Sequence, residues 1–118
     1  MDYEIDPGAL ARVLRMGGPG LLGRLVETAL GNLETRIAEL VAAMAGGDAP
    51  AAERAAHSIK SSARNLGATK LGELAEAAEH LAAQRLASWP AAAELLLGAD
   101  LAALRLSLER AVAAAVEP

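Results

Sequence analysis

Residues 21–45 read LLGRLVETALGNLETRIAELVAAMA, and their apolar spacing points to the architecture of the chain. Leu22, Val26, Ala29, Leu33, Ile37, Leu40 and Met44 recur at steps of four and three. At about 100° per residue this puts them along one seam of a long helix, the pattern a helical bundle needs. Before it, Gly17-Gly18-Pro19-Gly20 breaks the helical pattern, so Asp6 to Met16 forms a short helix of its own. Asp6 is its N-cap and Pro7 lies in its first turn. After it, Gly46-Gly47 ends the long helix, Asp48 caps the next and Pro50 is tolerated near that helix's start. This helix runs to about Gly67. Thr69 is placed as the cap of another helix, with Leu71, Leu74, Ala78 and Leu81 as its seam. Trp89-Pro90 reads as a break, and a last helix uses Leu97, Leu101, Leu104, Leu108, Ala111 and Ala115, with Gly98 inside it.

Strand signals are nearly absent: β-branched residues are few, Phe is lacking and no run alternates. The expectation is therefore an all-α fold, an antiparallel up-and-down four-helix bundle with a short extra N-terminal helix, as one domain over residues 1–118.

Composition removes several function classes. Without cysteine there is no disulfide framework, thiolate zinc site or cysteine nucleophile, and a reducing compartment fits. The formal charge of −4 is spread along the chain, and Tyr3 and Trp89 are the only aromatic rings besides the histidines, so no nucleic-acid surface is expected. Charges interrupt every apolar segment before the ~20 residues needed to cross a bilayer. The acidic start Met1-Asp2-Tyr3-Glu4 has no apolar run behind it. These features lead to the expectation of a cytoplasmic protein with no membrane partner, and the negative charge favours a monomer.

Three motifs fail on their physics. Gly18-Pro19-Gly20-Leu21-Leu22-Gly23 matches G-x-G-x-x-G, but the dinucleotide fingerprint needs a preceding strand and none is present. His57 and His80 fall on separate helices without H-E-x-x-H spacing, and the ferritin-like spacing of glutamate and histidine is not supplied by Glu79-His80. No metal is expected. Ser61 shares a face with His57, yet the sequence offers nothing buried to orient the imidazole, and no sharp turn to present the serine. There is also no Walker lysine loop or kinase signature.

What remains is the helix around His57. Ala52, Ala55, Ala56, Ile59, Ala63 and Leu66 collect into one apolar stripe, and His57 lies roughly 160° from its middle. Arg54, Lys60, Ser61 and Arg64 lie within about 60° of His57. The one acidic group that local spacing places on that face is Glu53. An accessible imidazole among cations and a hydroxyl suits gain and loss of a phosphoryl group, because the cations offset its charge.

The run Ala56-His57-Ser58-Ile59-Lys60-Ser61-Ser62-Ala63-Arg64-Asn65-Leu66-Gly67-Ala68, followed by Leu71, Leu74 and Glu79, resembles the histidine-containing phosphotransfer (HPt) domains of bacterial two-component phosphorelays. That family's pattern is an alanine–histidine pair, a lysine three residues on, glycine-serine or serine-serine, and a downstream Leu-Gly-Ala. The match is specific from about Asp48 to Glu79. Ser61 stands where many members have glycine.

The resemblance implies His57 as phosphoacceptor and Lys60 as a phosphate-supporting cation, with Ser61, Arg64 and Arg54 as further phosphate- or partner-binding residues. It implies transfer between receiver-domain aspartates, with no intrinsic cofactor and with Mg²⁺ on the partner receiver. The expected partners are response-regulator receivers and a hybrid histidine kinase. A receiver would cover the His57 face together with an adjacent apolar patch, for which Leu14, Met16 and Leu21 are candidates. The alternative is a bundle of the same fold that binds and inhibits a kinase or receiver without carrying phosphate. A sensor-kinase hairpin is disfavoured, because Ser58 replaces the usual acidic residue and no proline follows before Pro90.

Overall fold

A computed structural model describes residues 3–116 as five helices: α1 (Pro7–Ala45), α2 (Ala49–Asn65), α3 (Thr69–Ala83), α4 (Trp89–Leu97) and α5 (Leu101–Val116). Met1 and Asp2, half of the acidic start read from the sequence, lie outside the described residues. Among the described residues the β structure amounts to one isolated bridge between Ile5 and Ala68. The chain is an all-α helical bundle, as its periodicity implies.

The glycine-rich break is a kink. Helical geometry continues on both sides of Gly18, which alone leaves it at φ 74° and ψ −172°. A positive φ suits glycine, and Pro19 then opens the long segment where its missing N–H costs least. Asp6 caps the first segment by accepting from Gly8 N at 2.9 Å, and Asp48 caps α2 by accepting from Ala51 N at 3.1 Å. Each such cap contributes about 1 kcal/mol.

Three boundaries differ from the sequence reading. Trp89-Pro90 opens α4, because proline near a helix start removes only an N–H that would lack an intrahelical partner. Gly98 caps the end of α4 and so lies outside the last helix. Asp100 starts α5, its carboxylate accepting from Ala103 N at 3.0 Å. Thr69 is already helical. The cap of α3 is Ala68, whose side chain cannot cap; its N–H donates to Ala63 O at 2.8 Å within the tight turn from α2.

Helices α2 and α3 form an antiparallel hairpin, with α1 packed along α2, α4 against α3, and α5 along α1. Leu22, Leu33 and Leu40 of α1 are fully buried against Ile59, Leu66, Leu71, Leu96, Leu104 and Leu108, while Ile37 and Met44 are partly buried. Burying a leucine or isoleucine side chain contributes roughly 1.5–3 kcal/mol. Between α2 and α3 the core is mostly alanine: Ala52, Ala55, Ala56 and Ala63 face Ala75, Ala78 and Ala82. Small side chains let the two backbones approach closely, which brings the outer edges of α2 and α3 within side-chain reach.

Candidate functional site

The apolar stripe of α2 behaves as its spacing requires. Ala55, Ala56, Ile59 and Ala63 are at most 1% exposed, whereas the His57 side chain is 61% exposed. The α2–α3 turn then determines what stands opposite. Leu66, Gly67 and Ala68 alone separate the two helices, so residues count back along α3 in antiparallel register. Gly72 and Glu76 thus meet Arg64, and Glu79, three residues further on, meets both Lys60 and His57.

The carboxylate of Glu79 lies 3.1 Å from His57 Nδ1 by both oxygens and 2.9 Å from Lys60 Nζ. The side chains of Lys60 and Glu79 are only 16% and 19% exposed. One turn along, Arg64 donates to Glu76 at 2.8 Å with both groups in water. The stem of Arg64 crosses Gly72, where a Cβ would sit 3.3 Å from Arg64 Cγ.

An ionised carboxylate can only accept, so the hydrogen bond assigns the imidazole proton to Nδ1. Nε2 is left with its lone pair, on an exposed ring. Burial pushes the Glu79 carboxyl up, but hydrogen bonds from Lys60 and His57 and their charges outweigh it and hold the group below the usual carboxylate range. Glu79 is therefore ionised at neutral pH and fixes the ring's tautomer and orientation.

This corrects two readings of the sequence. A half-buried group does orient the imidazole, and further acidic residues reach this face from α3. Glu53, the acid expected there, does line the space beside His57, and it lies 3.6 Å from Arg85. Outside the family pattern, the spacing of residues gives Glu79 no role beside His57. The physical signal for it was the short turn combined with the i, i+4, i+7 series Gly72, Glu76, Glu79.

The cations are not equivalent. Lys60 and Arg64 are already paired, whereas Arg54 is exposed and makes no ion pair among the described residues. Ser61 is exposed on the same face. His80 turns to Gln84, 3.0 Å away, so the two histidines do not converge. Of the apolar candidates near the kink, Met16 is 79% exposed, while Leu14 and Leu21 are half-buried. Met16 lines a depression of about 300 Å³ with Val13 and Leu25, rimmed by Arg12 and Arg64.

The lowered pKa of Glu79 carries a stability prediction. A carboxylate whose folded pKa is depressed stabilises the fold above its unfolded pKa, and that stability is lost as pH falls through the folded value. Glu79→Gln should therefore be destabilised relative to wild type in urea titrations at pH 7. The difference should fade as pH drops below about 4. A difference that persists undiminished in acid would mean that packing, not charge, holds Glu79.

An exposed histidine with an assigned tautomer, set among cations on a helical hairpin, defines a helical bundle fit to carry a group on that imidazole. The family model for the Hpt domain matches residues 24–114, from the long segment of α1 into α5, and the chain belongs to that family. Hpt domains are phosphotransfer modules of two-component signalling without kinase activity, and they interact with response-regulator receivers. No curated protein and no solved structure matches the chain. No helix among the described residues is long and apolar enough to cross a membrane.

Proposed function

We propose that this chain is a phosphorelay intermediate, taking a phosphoryl group from the aspartate of one receiver onto His57 and passing it to the aspartate of another. The observation that supports this best is the pair of contacts holding His57 Nδ1 on Glu79, which leave Nε2 as the outward nucleophile. In the forward step the Nε2 lone pair forms a bond to phosphorus as the acyl-phosphate P–O bond breaks and its electron pair leaves with the aspartate carboxylate. The transition state is loose and spreads charge over the equatorial oxygens.

The Nδ1 proton stays hydrogen-bonded to Glu79, which offsets the positive charge developing on the ring. In the return step the imidazole leaves as a neutral base, because Nδ1 keeps that proton. Lys60, Ser61, Arg64 and Arg54 are the groups of this chain available to phosphate or partner. Mg²⁺, expected on the partner receiver, supplies charge neutralisation when bound there. The receiver covers the His57 face and extends onto the Met16 depression, which Arg64 joins to the site.

The test is incubation with a panel of phosphorylated receivers and Mg²⁺. The expected product is label on the protein that survives alkali and is lost in acid, as a phosphohistidine requires. Wild type that stays unlabelled by every receiver, while still binding one, would leave the inhibitor reading instead.

A further inference from the structure

Residues 3–6 form a strap from the start of α5 to the α2–α3 turn. The Tyr3 N–H donates to Ser107 Oγ at 3.1 Å, and the Tyr3 hydroxyl accepts from Asp100 N at 2.8 Å. Ile5 then bridges Ala68, and Asp6 N donates to Gly67 O at 2.8 Å. Two residues elsewhere are explained by this path. Ser107 is the one buried polar side chain among the described residues, 8% exposed on the core face of α5 with Leu104 and Leu108. A hydroxyl there needs a partner, and the strap N–H is that partner. Gly67 has no room for a Cβ because Asp6 lies against it. Among the helices α5 packs along α1, so the strap adds a tie from α5 to the α2–α3 turn.

The strap ends where the docking segment begins. Pro7 to Gly17 lies between Asp6 and Gly18, the one residue of α1 outside helical geometry. This segment supplies Arg12, Val13 and the exposed Met16 to the depression that Arg64 and Asn65 of α2 also line. Buried Ala9 and Leu10 seat it on the core. One end turns at the Gly18 kink, and the strap fixes the other against the turn that follows α2.

Resting on the phosphorelay reading, we infer that Tyr3 and Ser107 are positioning residues for the receiver, latching the segment Pro7–Gly17 to the hairpin that carries His57. The latch holds Met16 and Arg12 in place beside Arg64. Neither Tyr3 nor Ser107 touches the phosphoryl group; both act through the segment. A contact surface set in advance lowers the ordering cost that docking meets. Loss of the latch therefore weakens the complex and leaves the reaction within it alone.

The test has two arms. The first is amide hydrogen exchange of the full chain with no receiver present. Tyr3→Ala and Ser107→Ala should each speed exchange in residues 7–17, while residues 49–65 and 69–83 exchange as in wild type. The second arm measures transfer from a receiver that labels the wild type. Both variants should raise KM for the phosphorylated receiver about fivefold, the scale of one lost hydrogen bond, at unchanged kcat. Labelling of His57 by phosphoramidate, a donor too small to need docking, should keep the wild-type rate. Tyr3→Phe keeps the ring and Ser107→Thr keeps the acceptor, so each should recover part of the loss. In a Met16→Ala background, which itself raises KM, Tyr3→Ala should add less than it does alone, because the two act through one segment. Leu40→Val, a core truncation near the other end of α1, controls for stability and should leave KM at the wild-type value.

Exchange in residues 7–17 that neither variant changes overturns the latch, whatever the receivers do. Faster exchange with KM unchanged, or a KM that rises equally in Leu40→Val, overturns the docking role. Wild type that no receiver labels overturns the phosphorelay reading and the docking role with it, and the exchange arm still judges the latch.

Discussion

A His57→Gln variant takes up no phosphoryl group from any receiver that labels the wild type, yet unfolds at nearly the wild-type temperature. The chemical half of that expectation rests on the lone pair. A glutamine amide nitrogen shares its electrons with the carbonyl and cannot attack phosphorus, so the loss should be complete. The structural half rests on exposure. With 61% of the His57 side chain in water and its hydrogen-bonding partner Glu79 on the neighbouring helix, little packing is lost. Glutamine is a somewhat better helix former than histidine, and an exposed pair contributes modestly, so the net change should stay within about 1 kcal/mol. Residual alkali-stable, acid-labile label in this variant would place the phosphoacceptor elsewhere, with His80 the next residue to test. A large fall in melting temperature would instead show that His57 is part of the structural frame.

Gly67→Ala should have the largest effect on stability. Gly67 has φ 76°, in the left-handed region, where an alanine costs about 1–2 kcal/mol. Space is also lacking. A Cβ there would lie 2.8 Å from Asp6 O, 3.1 Å from Asp6 N and 3.1 Å from Ala9 Cβ. The closest of these atoms is backbone, so relief requires moving the N-terminal segment itself. That movement strains the bond from Asp6 N to Gly67 O, now 2.8 Å, whose loss costs about 1 kcal/mol more. The sum is roughly 2–3 kcal/mol, a fall in melting temperature on the order of 10 °C for a domain of this size. Gly31→Ala supplies the opposite sign. Its Cβ would meet nothing within 4 Å in the interior of α1, and it should stabilise by about 0.5–1 kcal/mol. If calorimetry finds the two variants alike, the contact between the N-terminal segment and the α2–α3 turn is not what makes Gly67 necessary.

Gly67 also marks how far local reading reaches. A glycine after α2 reads from sequence as a helix C-terminal turn, and its positive φ agrees. That Asp6, sixty-one residues earlier, packs against it could not be read from spacing, because no periodicity links the two segments. The boundary corrections have a similar origin. Trp89-Pro90 and Gly98 carry turn signals compatible with either a helix start or a helix break. The burial of Trp89, Ala93 and Leu96 against the rest of the bundle selects the short helix.

What the chain's own order of residues determined was the set of helices, most of their ends, and which side of α2 meets water. Each depends on backbone dihedrals and on neighbours within about four residues, and those are written in sequence. His57 stands outside because Ala56 and Ile59 must stand inside. Tertiary structure alone decided that Glu79 holds Nδ1 and that Lys60 and Arg64 are already paired, while Arg54 makes no ion pair among the described residues. Those facts depend on the distance and register between two helices, set by a short turn and by alanine faces small enough to bring the backbones together.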